Sequence, residues 1–158
     1  MRMLKMLGAA VIGIAASVAL AAPAQASGYK MSQSEAASSL RSVGITWSSS
    51  GGCTSRYTPT CTSFDQINSG TVSGVKTLRT ASGCAVNITG GTETGHASGT
   101  YSHWNGYKVD TAKSTCLNGY ITRSFTRIGN RGDGYPQWRS AAGNIYCDEG
   151  NHWDILYY

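Results

Sequence analysis

Histidine is nearly missing from this chain: its 158 residues include three, His96, His103 and His152. There is no C-x-x-C pair, which argues against a structural zinc ribbon. There is no basic run and no nucleic-acid-binding motif, so specific nucleic-acid recognition is not indicated. Beyond the N-terminus, no apolar stretch is long enough to cross a bilayer. Repeats and low-complexity linkers are also absent, and residues 27–158 read as one domain.

The N-terminus has the order of a secretory signal peptide. Arg2 and Lys5 precede an alanine-rich apolar run from Leu7 to Leu20, and Ala24-Gln25-Ala26 is an A-x-A cleavage site. No cysteine follows the site, which disfavours a lipid anchor. Cleavage after residue 26 of 158 leaves 132 residues starting at Ser27, enough for a core of their own. The expectation is a secreted monomer, extracellular or in the cell wall, with no membrane attachment. The leader takes two of thirteen Lys/Arg and none of eight Asp/Glu, so the remainder carries +3. That mild excess suits weak attraction to an anionic surface such as a bacterial wall.

Five cysteines remain, an odd number in a chain where disulfides are expected. Cys53 and Cys61 flank a short Ser/Thr/Pro loop and suit a local clip. Cys116 and Cys147 are the expected second pair, leaving Cys84 as a buried thiol. A nucleophilic Cys61 or Cys84 is disfavoured in that compartment.

Ser32 and Glu35 match a capping box, with Ala36, Ala37, Leu40 and Val43 following at helical spacing until Gly44. Ile45–Trp47 reads as a short strand. Thr71–Leu78 reads as a second helix despite Gly74, with Phe64 and Ile67 beneath it. Cys84–Ile88, the alternating Tyr120–Ile128, Asn144–Cys147 and His152–Tyr158 read as strands, with a turn at Gly132–Gly134. Two helices followed by strands predict an α+β domain with a mostly antiparallel sheet.

Two clusters carry chemistry. Asn105-Gly106 is a strong hairpin signal. Such a hairpin pairs Tyr101 with Asp110 and sets His103 diagonally across from Asp110, a separation that a shared metal ion can bridge; the two ligands could equally sit on a loop and the strand that follows it. The second cluster is Glu149-Gly-Asn-His152. Residues three apart on a strand face opposite ways, and Gly150-Asn151 offers the turn that brings them together. With His103, Asp110 and His152 as zinc ligands, a fourth position stays open for water or a carbonyl. Glu149 then serves as the base. Taken alone, His103 and Asp110 could be a pair steadying a hairpin; the second cluster shifts the balance to zinc. His96 fits a loop histidine, an oxyanion donor, or a zinc ligand in place of His152. Asp154 fits a partner orienting His152 or a surface salt bridge. Trp104, Trp153, Tyr101 and Tyr107 could line a peptide groove or belong to core and rim.

The stretch Ser102-His103-Trp-Asn-Gly106-Tyr-Lys-Val-Asp110 resembles the S-H-x-x-G-x-x-x-D signature of the zinc D-Ala-D-Ala carboxypeptidase family. That family includes L-alanyl-D-glutamate endolysins and has the hedgehog/DD-peptidase fold. Glu149-Gly-Asn-His152 is similar to its second motif, and the resemblance covers about Val86 to Ile155. It implies His103, Asp110 and His152 as zinc ligands, Glu149 as the base, and peptidoglycan stem peptides as substrate. Many members carry an oxyanion-steadying arginine where this chain reads Thr89-Gly-Gly-Thr-Glu93. His96, Arg79 or another arginine is the expected substitute. Three classes follow: a secreted zinc peptidase, a hedgehog-like binding module without turnover, and a small disulfide-clipped effector or inhibitor. An intact Glu149 favours the first over the second.

Overall fold

The computed structural model describes residues 28–158; the leader expected at 1–26 lies outside the described residues. β1 (Lys30–Met31) leads into α1 (Gln33–Arg41), whose capping box forms as expected. The Ser32 hydroxyl accepts from the Glu35 N–H at 3.4 Å, and a Glu35 oxygen accepts from the Ser32 N–H at 2.8 Å. β2 (Thr46–Trp47) and β3 (Ile67–Asn68) precede α2 (Ser69–Ser82). Ala36, Leu40, Val72 and Val75 bury the apolar stripes of the two helices together with Phe64 and Ile67. β4 (Asn87–Gly90), β5 (Lys108–Ala112), α3 (Thr115–Ser124), β6 (Thr126–Ile128), β7 (Gln137–Arg139), β8 (Ile145–Asp148) and β9 (His152–Leu156) complete the order.

The main sheet runs β2-β4-β5-β9-β8-β7-β6, and β1 pairs with β3 separately. β2 is parallel to β4, and the other neighbours are antiparallel. The domain is α+β with a mostly antiparallel sheet, as expected. β5 and β9 lie at its centre, pairing Asp110 with Asp154 and Ala112 with His152.

Three expectations fail. Tyr120–Ile128 is not one strand, because α3 occupies its first half. The Ser114 hydroxyl caps that helix by accepting from the Leu117 N–H at 3.1 Å. Leu117 and Ile121, four apart, are fully buried, and helical packing overrides the alternation.

The second failure is the Asn105-Gly106 hairpin. Residues 101–106 coil back on themselves, with the Gly106 N–H donating to the His103 carbonyl at 2.8 Å. Gly106 has φ +77°, and a Cβ there would stand 2.5 Å from the Gln66 carbonyl oxygen. Its own carbonyl accepts from the Asn68 N–H and the Thr71 hydroxyl. The glycine is required for a close approach to residues 66–68, and β5 pairs with β4 and β9 rather than with Tyr101.

The third is the cysteine pairing. Cys53–Cys61 forms as expected, but Cys84 bonds to Cys116, Cα atoms 5.7 Å apart, and Cys147 is the buried free thiol. The first turn of α3 carries Cys116 to Cys84, just beyond the end of α2, a neighbourhood that a strand reading hides. Two disulfides suggest an oxidising environment. No described helix is long and apolar enough to cross a membrane.

Candidate metal centre

β5 carries Asp110 into a cleft at the sheet centre, where its side chain is largely buried. A Cβ on Gly90, its partner on β4, would lie 2.5 Å from Asp110 Oδ2, so only glycine leaves room for that carboxylate. Asp110 Oδ1 is buried and has no hydrogen-bond partner. An orphaned carboxylate oxygen is costly unless a cation satisfies it.

Two imidazoles face that oxygen. His103, held in the coiled 101–106 segment, has Nδ1 2.8 Å from the Gly91 carbonyl and Nε2 3.3 Å from Asp110 Oδ1. The carbonyl only accepts, so Nδ1 carries the hydrogen and Nε2 is aimed inward. His152 opens β9, its Nδ1 2.6 Å from Asn151 Oδ1 and its Nε2 3.7 Å from Asp110 Oδ1. Gly150, at φ +87°, makes the turn between β8 and β9, closed by the Glu149 N–H donating to the His152 carbonyl. That turn brings Glu149 Oε2 to 3.3 Å from His152 Nε2. The structure therefore gathers His103, Asp110, His152 and Glu149 around one cleft of about 440 Å³.

His96 lies on the other side of Asp110, with Nδ1 3.8 Å from Oδ2 and its ring stacked on His103 at 3.8 Å. Its Nε2 is 2.9 Å from Glu93, a buried carboxylate that also accepts from the Ser63 and Gly91 N–H groups. Burial alone would push the Glu93 pKa up, but these donors hold it below the usual range. Ligand atoms of His96, His103 and Asp110 lie within 4.8 Å of one another, so this group, with His96 in place of His152, could hold a metal ion; His152 meets Asp110 but does not belong to it.

Asp154 forms a salt bridge as one expectation had it, but inside the cleft rather than at the surface. It is buried rather than a surface group, and Asn151, not Asp154, bonds the outer nitrogen of His152. Asp154 Oδ2 accepts from Lys108 at 2.7 Å and Arg131 at 2.8 Å, and Oδ1 stands 3.6 Å from His103 Nε2. Burial would lower the His103 pKa, yet the Asp110 and Asp154 carboxylates 3.3 and 3.6 Å from Nε2 raise it to about 10, so without a metal the protonated ring is the cation that faces Asp110 Oδ1. Burial would raise that of Asp154, but His103 and Lys108 hold it well below the usual carboxylate range.

Arg131 enters from the loop between β6 and β7. It donates to Asp154, to Asp133 and, through Nη2 at 2.6 Å, to Glu149 Oε1. Arg79 does not line the cleft; it stands on α2 beside Gly44. The cleft's fixed charges are Lys108 and Arg131 against Asp110, Asp133, Glu149 and Asp154. With the imidazoles neutral, as metal ligands must be, two positive charges against four negative leave −2, which a divalent cation neutralises; without a metal, protonated His103 offsets one of the two. Trp153 is fully buried in the core, and Trp104 lines a neighbouring groove rather than this cleft.

Sequence reasoning passed over Glu93 and did not single out Arg131. Glu93-Thr-Gly-His96 repeats the acid–histidine spacing of Glu149-Gly-Asn-His152, which was the available signal. Arg131 was signalled only by the glycine-rich turn Arg131-Gly-Asp-Gly134 upstream of the second cluster. No family model, curated protein or solved structure matches the chain.

Proposed function

We propose that the chain is a secreted zinc peptidase acting on peptidoglycan stem peptides, with a hedgehog/DD-peptidase-like arrangement of its site. The observation that carries this reading is the orphaned Asp110 Oδ1 faced by His103 Nε2 and His152 Nε2, with Glu149 beside them. His103, Asp110 and His152 are the ligands, a two-imidazole, one-carboxylate set suited to zinc. When bound, zinc supplies Lewis acidity that polarises a peptide carbonyl and acidifies a water in the cleft.

The remaining steps belong to the chain's own groups. Glu149 takes the proton of the attacking water and passes it to the leaving amine. Arg131 pins Glu149 Oε1, leaving Oε2 on the side of His152. Arg131 keeps one Nη1 hydrogen outside its bonds to the three acids, available to the developing oxyanion. His96 can donate to the same oxygen through Nδ1 when its ring is doubly protonated, since Glu93 occupies Nε2. The Gly91 carbonyl and Asn151 hold the outer nitrogens of His103 and His152, which fixes the direction of the inner ones.

The test is incubation of purified peptidoglycan with wild type, Glu149→Ala and EDTA-treated protein, reading released peptides and D-alanine by mass spectrometry. Release by wild type alone supports the reading. Equal release by wild type and Glu149→Ala removes Glu149 from catalysis. Absence of release by zinc-loaded wild type, with zinc retained, favours a binding module.

A further inference from the structure

Beside the metal cleft lies a second groove of about 360 Å³, and the two share Gly95 and His96 in their walls. Trp104, 40% exposed, lines this groove, and Tyr57, 77% exposed, packs against Trp104 from outside it. Their rings meet edge to face with centroids 6.0 Å apart. Large aromatic surface left in water carries a hydrophobic penalty and marks contact sites.

This pair is also held rigid. The Arg56 guanidinium lies 3.7 Å over the Trp104 ring and donates to the Trp104 carbonyl. The Arg56 carbonyl in turn accepts from the Thr94 N–H at 2.8 Å, tying the aromatic loop to the groove wall. The Cys53–Cys61 disulfide closes the loop that carries Arg56 and Tyr57. A rigid aromatic loses little entropy on binding. The groove is also lined by the neutral polar side chains Thr94, Ser98, Ser102 and Asn105, and by Glu93, a buried carboxylate already bonded to His96 and to two backbone N–H groups.

We propose that Tyr57 and Trp104 form a saccharide-binding platform that takes the amino-sugar strand to which a stem peptide is attached. A pyranose ring presents an apolar C–H face to an aromatic and hydroxyl groups around its edge, matching exposed rings beside uncharged hydroxyls and an amide. A nucleic-acid base would also stack, but its phosphates need a free basic track, and the two basic groups here are already engaged, Arg56 on the Trp104 ring and Lys30 on the Asn105 carbonyl. Continuity through Gly95 and His96 allows one substrate to lay sugar on the platform and peptide in the cleft. The identity of the sugar rests on the stem-peptide reading; the aromatic chemistry does not.

The test is a ¹H–¹⁵N NMR titration with triacetylchitotriose, a β-1,4-linked N-acetylglucosamine oligomer that contains no peptide. Wild type should show saturable shifts centred on the Trp104 indole N–H and the 55–58 backbone. Tyr57→Ala, at a position too exposed to threaten the fold, should weaken binding about tenfold, and Trp104→Ala at least as much. No saturable shift in wild type, or binding by Tyr57→Ala equal to wild type, overturns the platform. Because the probe has no scissile bond, a failed peptidase reading appears separately, as absent peptide release with the chitotriose shifts intact.

Discussion

Removing the metal should reverse the pH dependence of stability. In the metal-free protein, Asp110 and Asp154 raise the His103 pKa to about 10, whereas the unfolded side chain titrates near about 6.5. A raised folded pKa means that the stabilisation is fully present below the unfolded value and is lost as pH rises through the folded one. Between about pH 6 and about pH 9, linkage gives a loss of about 3 kcal/mol. The same range acts oppositely on the zinc form, because the ion needs a neutral imidazole and displaces the proton. Urea denaturation of EDTA-treated and zinc-saturated protein at both pH values measures the two slopes. The EDTA-treated midpoint should fall with pH, while the increment gained from zinc should grow. Asp154→Asn should flatten the first slope, since it removes one of the two carboxylates that hold the proton. Equal stability of the EDTA-treated protein at both pH values would refute the reasoning.

Other parts of the structure give simpler expectations. Gly90→Ala puts a methyl group 2.5 Å from Asp110 Oδ2, and zinc affinity by competition with a chromophoric chelator should fall about tenfold or more. Ser114→Ala removes the cap of α3 and should lower stability by about 1 kcal/mol in a denaturant titration. Reduction of Cys84–Cys116, or its replacement by two serines, should lower stability by roughly 2–4 kcal/mol. A thiol reagent should find Cys147 reactive only on unfolding, as burial pushes its pKa up to about 11 despite Arg131 nearby.

The elements that sequence made legible are those whose signal is local. The Ser32/Glu35 capping box, the Val72–Val75–Leu78 stripe and the Gly150 turn depend on neighbours within four residues. The failures arise where distant packing decides. α3 carries Gly119 and β-branched Thr115, Ile121 and Thr122, so its propensity is weak, and it is defined by burial of Leu117 and Ile121. Asn105-Gly106 has a hairpin's composition, yet its glycine is taken by residues 66–68, some forty positions away. Cys116 could not be paired correctly without α3.

The site divides in the same way. His103, Asp110, Glu149 and His152 are readable because two short motifs carry them. Their meeting is produced by the β4-β5-β9-β8 order, which places Gly90 against Asp110 and lets His152, at the start of β9, reach the same carboxylate. Arg131 and Lys108 reach the cleft through Asp154, buried opposite Asp110 on β9, and no spacing rule in the sequence marks that three-way contact.

Zinc-edge anomalous diffraction from crystals of the zinc-loaded protein would locate the ion. One strong peak is expected within bonding distance of His103 Nε2, Asp110 Oδ1 and His152 Nε2, with Glu149 close by but not bonded. A peak bonded to Glu149, a peak lacking His103 or Asp110, or no peak in the cleft would contradict that ligand set.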